Sequence, residues 1–260
     1  MAALKSALHE ASPPDVPADV PDVPREAEKV LVADAVAGRL TADRRERVRQ
    51  RVVSSIPWWY SPWGHLAATT GIGIATFAVS AYMLHAVKWT DALVVPFVCL
   101  LANFFEWRVN KHVLHRRRWP FEIIYDRHTP MHHMMYVEED MALRSSKEFR
   151  LVLMPAFGVL GIVLTSAPFA IAIARFWSSN AGWLFLVTAS LFMVSYELLH
   201  LAYHAPQDSF VGRRRIIGVL RTHHARHHDP RLMQKWNFNV TVPLFDWIMG
   251  TIAPKDLPAK

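Results

Sequence analysis

The sequence predicts an all-α integral membrane protein with four transmembrane helices and a helical cap on the cytoplasmic side. Three observations support this prediction: long uncharged apolar runs, the placement of basic residues around those runs, and histidine groups that follow them. Hydrophobic residues make up 52% of the 260 residues and are concentrated in the middle of the chain, and the net charge is +7. A basic chain often binds nucleic acid, but membrane topology explains this charge, and we expect no nucleic-acid partner.

Four apolar stretches define the predicted spans, and the first is long enough to cross a bilayer core of ~30 Å. They cover residues 66–87, 92–105, 151–174 and 183–196, and the second and fourth continue into histidine groups. The third stretch contains Pro155 and Pro168, so that a kinked span and a re-entrant hairpin are both open, and we favour the span.

The basic residues indicate which way the spans run. Of the 29 Lys and Arg residues, only Lys88 and Arg175 lie in the two turns within the pairs of spans. Basic residues favour the cytoplasmic side of a membrane. The sequence therefore predicts a multi-pass protein whose two termini and histidine groups are all cytoplasmic.

The sequence divides into four segments. Residues 1–24 form a predicted disordered tail rich in Pro and Asp, and residues 25–60 form a basic amphipathic helical segment. The basic face of that segment has five arginines, at positions 44, 45, 47, 49 and 51, which lie on anionic headgroups or in solvent. Residues 61–252 form the membrane domain and residues 253–260 a tail. The single cysteine, Cys99, excludes an internal disulfide, and we expect it to be buried.

Eleven of the fourteen histidines fall into four groups at or just beyond the ends of apolar runs. Residues four apart on a helix share a face, as His200 and His204 would. Neighbours such as His132 and His133 point about 100° apart on a helix, so two ions side by side suit them better than one. The candidate metal ligands are His112, His115, His128, His132, His133, His200, His204, His223, His224, His227 and His228.

The residue types restrict the metal without selecting one. Neutral imidazole binds iron, zinc, copper and nickel. The absence of cysteine from the histidine groups argues against an iron–sulfur cluster or a zinc ribbon. Four nearby carboxylates are candidates for orienting the rings or balancing charge, with ordinary capping roles as the alternative. They are Glu106, Asp126, Glu197 and Asp246.

The histidine motifs resemble those of the fatty acid hydroxylase/sterol desaturase superfamily of membrane di-iron oxygenases, across residues 60–252. The third group, His200 to His204, has the family's HxxxH spacing. The second, His128 to His133, has one residue more than HxxHH, and the fourth has an additional leading histidine, His223. The segment 237–251 is similar to the family's tail.

The first group departs from the family pattern. The family places a histidine four or five residues before His115, where this chain has Lys111 and Asn110. Either His112 replaces that ligand from a shifted position, which we favour, or Asn110 contributes an oxygen ligand. If neither binds, one metal site is incomplete.

The resemblance implies an enzyme of lipid biosynthesis or modification that hydroxylates or desaturates an unactivated C–H bond of a hydrophobic substrate. It implies two iron ions, with zinc as the alternative occupant after isolation, and O₂ as co-substrate. It also implies electrons from a separate ferredoxin- or cytochrome-type donor and its reductase, since the first sixty residues lack the ligands of a fused donor domain. No motif decides between hydroxylation and desaturation.

Apolar side chains near the ends of the second and fourth spans are candidates for lining a substrate tunnel, with helix packing as their alternative role. They are Phe104, Phe105, Met193 and Leu199. Two other functions remain open. A metal transporter or storage protein would hold histidines near the middle of the membrane, whereas these lie at the ends of the spans. An inactive family member with structural zinc is compatible with the altered first group.

Overall fold

The computed structural model describes residues 41–255, and every regular element in that range is a helix. The predicted tail over 1–24, the first part of the 25–60 segment and residues 256–260 lie outside the described residues. The α-helices in the described range are α1 (Ala42–Ser54), α2 (Pro62–Tyr82), α3 (Trp89–Ala92), α4 (Val94–Val109), α5 (Glu122–Asp126), α6 (Phe149–Val152), α7 (Ala156–Phe176), α8 (Ser179–Tyr203), α9 (Arg215–His227) and α10 (Leu244–Ile248). The predicted all-α class is confirmed for this range.

Three helices of the described range are long and apolar enough to cross a membrane: Trp89–Leu114, which contains α3 and α4, then α7 and α8. Only 22%, 11% and 33% of their apolar windows are buried within the protein. Exposed apolar surface of this extent requires another apolar phase, as expected for a membrane protein. The first predicted span, residues 66–87, corresponds to α2, which is a continuous helix of 21 residues that ends at Tyr82 and is not one of these three. A fourth crossing and the sidedness of the cap stay predictions.

The helix ends follow from local sequence. Ser61 accepts a hydrogen bond from the Gly64 N–H at the start of α2, and Ser178 does the same for Ala181 at the start of α8. Helix α7 begins directly after Pro155 and continues through Pro168. The third apolar stretch is therefore one helix from residue 156, not a hairpin.

The turns before α3 and before α8 meet at one end of the bundle. Ser178 donates to Asp91 over 2.6 Å, and the Asn180 side chain donates to the His85 carbonyl over 2.7 Å. Because α4 and α8 both start at this end, the histidines at their other ends lie together at the opposite end of the bundle. This agrees with the predicted arrangement of turns and histidine groups.

Helix α8 is the centre of the bundle and packs against α2, α4, α7 and α9. The contact with α2 is close because Gly73 has no side chain: a Cβ there would lie 2.5 Å from Val194 Cγ2 and 2.8 Å from Met193 Cε. Small residues allow such approach between helices in membranes. Met193, a predicted tunnel residue, is buried at this contact.

Cys99 is exposed on the surface of α4, so the prediction that it is buried was wrong. The apolar residues around it face outward, with Phe97 and Leu100 52% and 48% exposed. In a spanning helix an apolar neighbourhood in sequence indicates a lipid-facing surface as readily as a protein core.

We expect Gly73→Ala to destabilise the bundle, because the new methyl group would overlap the branched side chain of Val194. Overpacking of this kind costs roughly 1–3 kcal/mol. The matched control is Gly71→Ala on the same helix, where a Cβ meets nothing within 4 Å and which should be neutral or slightly stabilising. Thermal unfolding of the two detergent-solubilised variants measures the difference. Equal unfolding temperatures would contradict the close packing of α2 on α8.

Candidate metal centre

The histidines reach the centre from four helical segments at one end of the bundle. Two of these segments have the wide turns of a π-helix, Asn110–Leu114 and Arg127–His133. Hydrogen bonds in a π-helix join residues five apart, so His128 and His133 come onto the same side of the second segment. The wide turn thus accommodates the extra residue in the second histidine group.

Nine histidines form two groups in the described part of the chain. The five-histidine group consists of His132, His200, His204, His224 and His228, and the four-histidine group of His115, His128, His133 and His227. Within each group the candidate ligand nitrogens lie within 4.8 Å of one another. An ion with metal–nitrogen bonds of ~2.1 Å separates opposite ligands by about twice that distance, so small ring movements fit each group to one ion.

The two groups lie directly against each other. The pairs His132–His133 and His227–His228 each divide between them, one histidine to each group, as the geometry of doubled pairs predicts. The rings of His133 and His228 stack with centroids 4.1 Å apart. The geometry is therefore that of two neighbouring sites, each able to hold one ion.

Backbone carbonyls fix the orientation of four of these rings. The Nδ1 atoms of His132, His204, His227 and His228 lie 2.7–3.0 Å from the carbonyl oxygens of Leu151, Met141, Trp236 and Tyr136, respectively. A carbonyl oxygen only accepts, so Nδ1 carries the hydrogen in each ring. The Nε2 atom of each ring is then an unprotonated lone pair facing the centre.

His115 has the same orientation by a different route. The Thr129 hydroxyl donates its hydrogen to the Leu114 carbonyl over 2.7 Å, so its oxygen accepts from His115 Nδ1 at 3.1 Å. His115 Nε2 is therefore a lone pair, and it lies 2.8 Å from the unprotonated Nε2 of His227. Two lone pairs at this distance repel each other unless a cation lies between or beside them. This contact shows that the residues fit a metal ion.

Other buried nitrogens support the same conclusion. His204 Nε2, His133 Nδ1 and His224 Nδ1 have no hydrogen-bond partner among the described residues. An unsatisfied buried polar atom costs about 1–3 kcal/mol. For His204 the hydrogen is already on Nδ1, so its Nε2 is a buried lone pair that a bound cation would satisfy.

The electrostatics keep the rings in the ligand form. Burial lowers the pKa of His115, His132 and His228 well below the usual value, and the neighbouring histidines lower it further. Burial lowers the pKa of His227 to about 4. These rings are therefore neutral at physiological pH. A donor set of imidazoles alone suits iron, zinc, copper or nickel rather than calcium or magnesium.

Two of the eleven candidate ligands lie outside both groups. His112 packs edge-on against Trp107, with ring centroids 6.2 Å apart. His223 Nε2 lies 3.0 Å from Asp246 Oδ2. Asn110, the alternative to His112, is buried; its amide donates to the Phe238 carbonyl over 2.6 Å, while its Oδ1 has no partner among the described residues.

The four candidate carboxylates contact residues outside the two histidine groups. Glu106 accepts from the backbone and hydroxyl of Thr241, and Glu197 accepts from the Met154 N–H. Asp126 pairs with Arg117 at the surface. Asp246 binds His223 together with the N–H groups of Phe238 and Asn239, and so shapes the loop after α9.

Sequence reasoning missed the groups that hold the rings. These are the Thr129 hydroxyl and the four backbone carbonyls, and a carbonyl has no residue-type signature that a sequence pattern could display. Of the predicted tunnel residues, Phe104 packs against Phe245 and Leu199 against the cluster around Tyr203. Phe105 is 49% exposed on α4.

Comparison of the chain with protein-family models, with curated proteins and with solved structures finds no match.

We expect His115→Ala and His228→Ala each to remove about one of two bound ions, because each substitution deletes a ligand from a different group. The matched control is His112→Ala, which lies outside both groups and should keep both ions. Metal analysis of detergent-purified protein, per chain, measures the outcome. Full metal content in both group variants would refute the assignment, and loss of an ion in the control would return His112 to the ligand set.

We also expect the metal-free protein to lose stability on acidification. Above pH 6.5 a histidine such as His227 is neutral in both the folded and unfolded states. As the pH falls from 6.5 towards 4, the unfolded state takes up protons that the buried ring does not. The free energy of unfolding therefore decreases over that window. Thermal unfolding after chelation, compared with His227→Gln, should show a shallower pH dependence in the variant, and a pH-independent wild type would contradict the burial of neutral rings.

Proposed function

We propose that this chain is a membrane-bound di-iron oxygenase that hydroxylates or desaturates an unactivated C–H bond of a lipid or another hydrophobic substrate. The observation that carries the proposal is the pair of adjoining histidine groups at one end of an apolar helix bundle. The motif resemblance supports iron and O₂ over the other metals that imidazole binds. Four membrane crossings with the centre on the cytoplasmic side belong to the same proposal.

The chain itself would supply binding, orientation and exclusion of water. Nine imidazoles would hold the ions, and backbone carbonyls would keep the Nε2 atoms of four of them directed inward. Eight of the nine rings are buried, and His128 is partly exposed. Bound iron would supply the ability to reduce O₂ and remove hydrogen from a C–H bond.

The position of the centre suits a substrate dissolved in the bilayer. His115 directly follows the helix Trp89–Leu114, and His204 directly follows α8, so that an alkyl chain could approach between the helices without crossing water. Phe105 fits a place on this route best among the predicted tunnel residues, because its side chain is half exposed on α4.

The reaction needs an external electron supply. Hydroxylation consumes one O₂, two electrons and two protons, and yields one hydroxyl group and one water. Desaturation with the same inputs yields one C=C bond and two waters. A ferredoxin- or cytochrome-type donor with its reductase would supply the electrons.

A transporter is less compatible with the placement of the histidines, because transport sites lie near the middle of the membrane between repeated halves. Here the ligands lie at helix ends and in the connecting segments. An inactive protein with structural zinc is the alternative that the experiment must separate.

We expect the iron-loaded protein in lipid bilayers to oxidise a membrane lipid when given a ferredoxin, its reductase, NADPH and ¹⁸O₂. Mass spectrometry should find either a lipid product carrying one ¹⁸O atom or a product lacking two hydrogens. The product should disappear in His228→Ala, which loses a ligand, and persist in Gly71→Ala, which touches no neighbour.

Omission of the donor should stop turnover. Two tightly bound ions with no lipid oxidised, whether the donor is a ferredoxin or a cytochrome, would favour the structural-zinc alternative. Product formation without any reductant would contradict the electron balance.

A further inference from the structure

Helix α1 precedes the membrane bundle, and its Val48 packs against residues around the histidine centre. Of the five arginines predicted to face headgroups or solvent, Arg49 is only 2% exposed, so that prediction was wrong for this residue. Its neighbour Val48 is 6% exposed and belongs to an apolar cluster with residues of the segment 134–152 and with Met233. Arg47, two residues earlier on the same helix, is exposed.

Arg49 connects α1 to the segment 134–152. Its guanidinium lies 3.4 Å from Glu148 Oε2 and 4.0 Å from Asp140 Oδ2. It also lies over the Tyr136 ring, 4.7 Å from the centroid, and the Tyr136 hydroxyl donates to Glu148 over 2.8 Å. The side chains of Arg49 and Glu148 are almost fully buried, so this pair is desolvated.

The residues around α1 are the ones that orient the five-histidine group. Tyr136, Met141 and Leu151 belong to the same apolar cluster as Val48. Their carbonyl oxygens hold His228, His204 and His132, respectively. Helix α1 therefore packs on the residues whose three carbonyls orient these rings.

The four-histidine group has different support. His227 is held by the Trp236 carbonyl and His115 by Thr129, and neither residue belongs to the cluster around Val48. The hydrogen bonds that orient His227 and His115 thus come from residues outside the cluster on which α1 packs.

We propose that Arg49 is a positioning residue for the five-histidine group, which acts through Tyr136, Met141 and Leu151 to fix the rings that bind one of the two ions. The inference rests on the metal centre proposed above. Its consequence is selective: loss of the Arg49 contacts weakens the binding of the ion in the five-histidine group and leaves the binding of the other ion unchanged. Removal of the groups that orient metal ligands typically lowers metal affinity about 10- to 100-fold.

The test is Co²⁺ titration of the metal-free full chain in detergent, with the visible absorption of the bound ion as readout. His115→Ala isolates the five-histidine group and His228→Ala isolates the four-histidine group. We expect Arg49→Gln to weaken Co²⁺ binding about 10- to 100-fold in the His115→Ala background and to change its spectrum. In the His228→Ala background the same substitution should change neither affinity nor spectrum.

Two further variants keep the result interpretable. Arg47→Gln removes an exposed arginine from the same helix and should leave binding unchanged in both backgrounds. Arg49→Lys keeps the charge opposite Glu148 but loses the planar contact with Tyr136. It should therefore weaken Co²⁺ binding by the five-histidine group to a smaller extent. If Arg49→Gln abolishes both ions through misfolding, the outcome is decided with Arg49→Lys.

The positioning role would be overturned if Arg49→Gln, or Arg49→Lys in its place, weakened Co²⁺ binding equally in the two groups or in neither. If the wild-type protein itself fails to bind two Co²⁺ ions, the proposed centre fails and this inference fails with it. If two ions bind and only the selectivity is missing, the proposed centre stands and the role of Arg49 alone is refuted.

Discussion

The hydrogen bonds from histidine Nδ1 to backbone carbonyls are the constraint on which the rest of the centre depends. They leave each Nε2 as a lone pair, and burial keeps the rings neutral. Since a side-chain substitution does not remove a carbonyl, the orientation of the ligands depends on the path of the backbone. That path is held by packing and by contacts such as those of Glu148 with Tyr136. The most sensitive positions therefore include residues that touch no histidine.

The membrane bundle explains why the centre is at a helix end. A site of nine imidazoles needs many backbone partners, and carbonyls inside a regular helix are already bonded to the helix itself. Only where helices end, or widen as at Arg127–His133, does the chain offer free carbonyls and the freedom to place adjacent rings apart. Helix α8 joins the two environments, since it is apolar along its length and ends with His200 and His204 beside the cap.

Local periodicity predicted the parts of the site that local geometry controls. His200 and His204 share a helix face, and two of the three doubled histidines, His132–His133 and His227–His228, divide between the two groups. Spacing did not separate the nine histidines from His112, because it does not distinguish an α-turn from a π-turn, or from His223, whose ring pairs with Asp246. The carbonyl partners lie 9 to 92 residues from their histidines, and Arg49 contacts the Ala142 carbonyl across 93 residues, so no short-range pattern in the sequence displays these contacts.

The two groups differ in their number of histidines, and this difference bears on which role each ion would have in the proposed reaction. Four protein ligands leave more coordination positions open than five, and catalytic metal sites keep an open position where structural sites are closed. The four-histidine group also contains His128, the one residue of the nine that is not fully buried. The five-histidine group is fully buried, and α1 packs on the residues that orient it. Within the proposed function, exogenous ligands would therefore reach the centre from the four-histidine side, while α1 holds the other side closed.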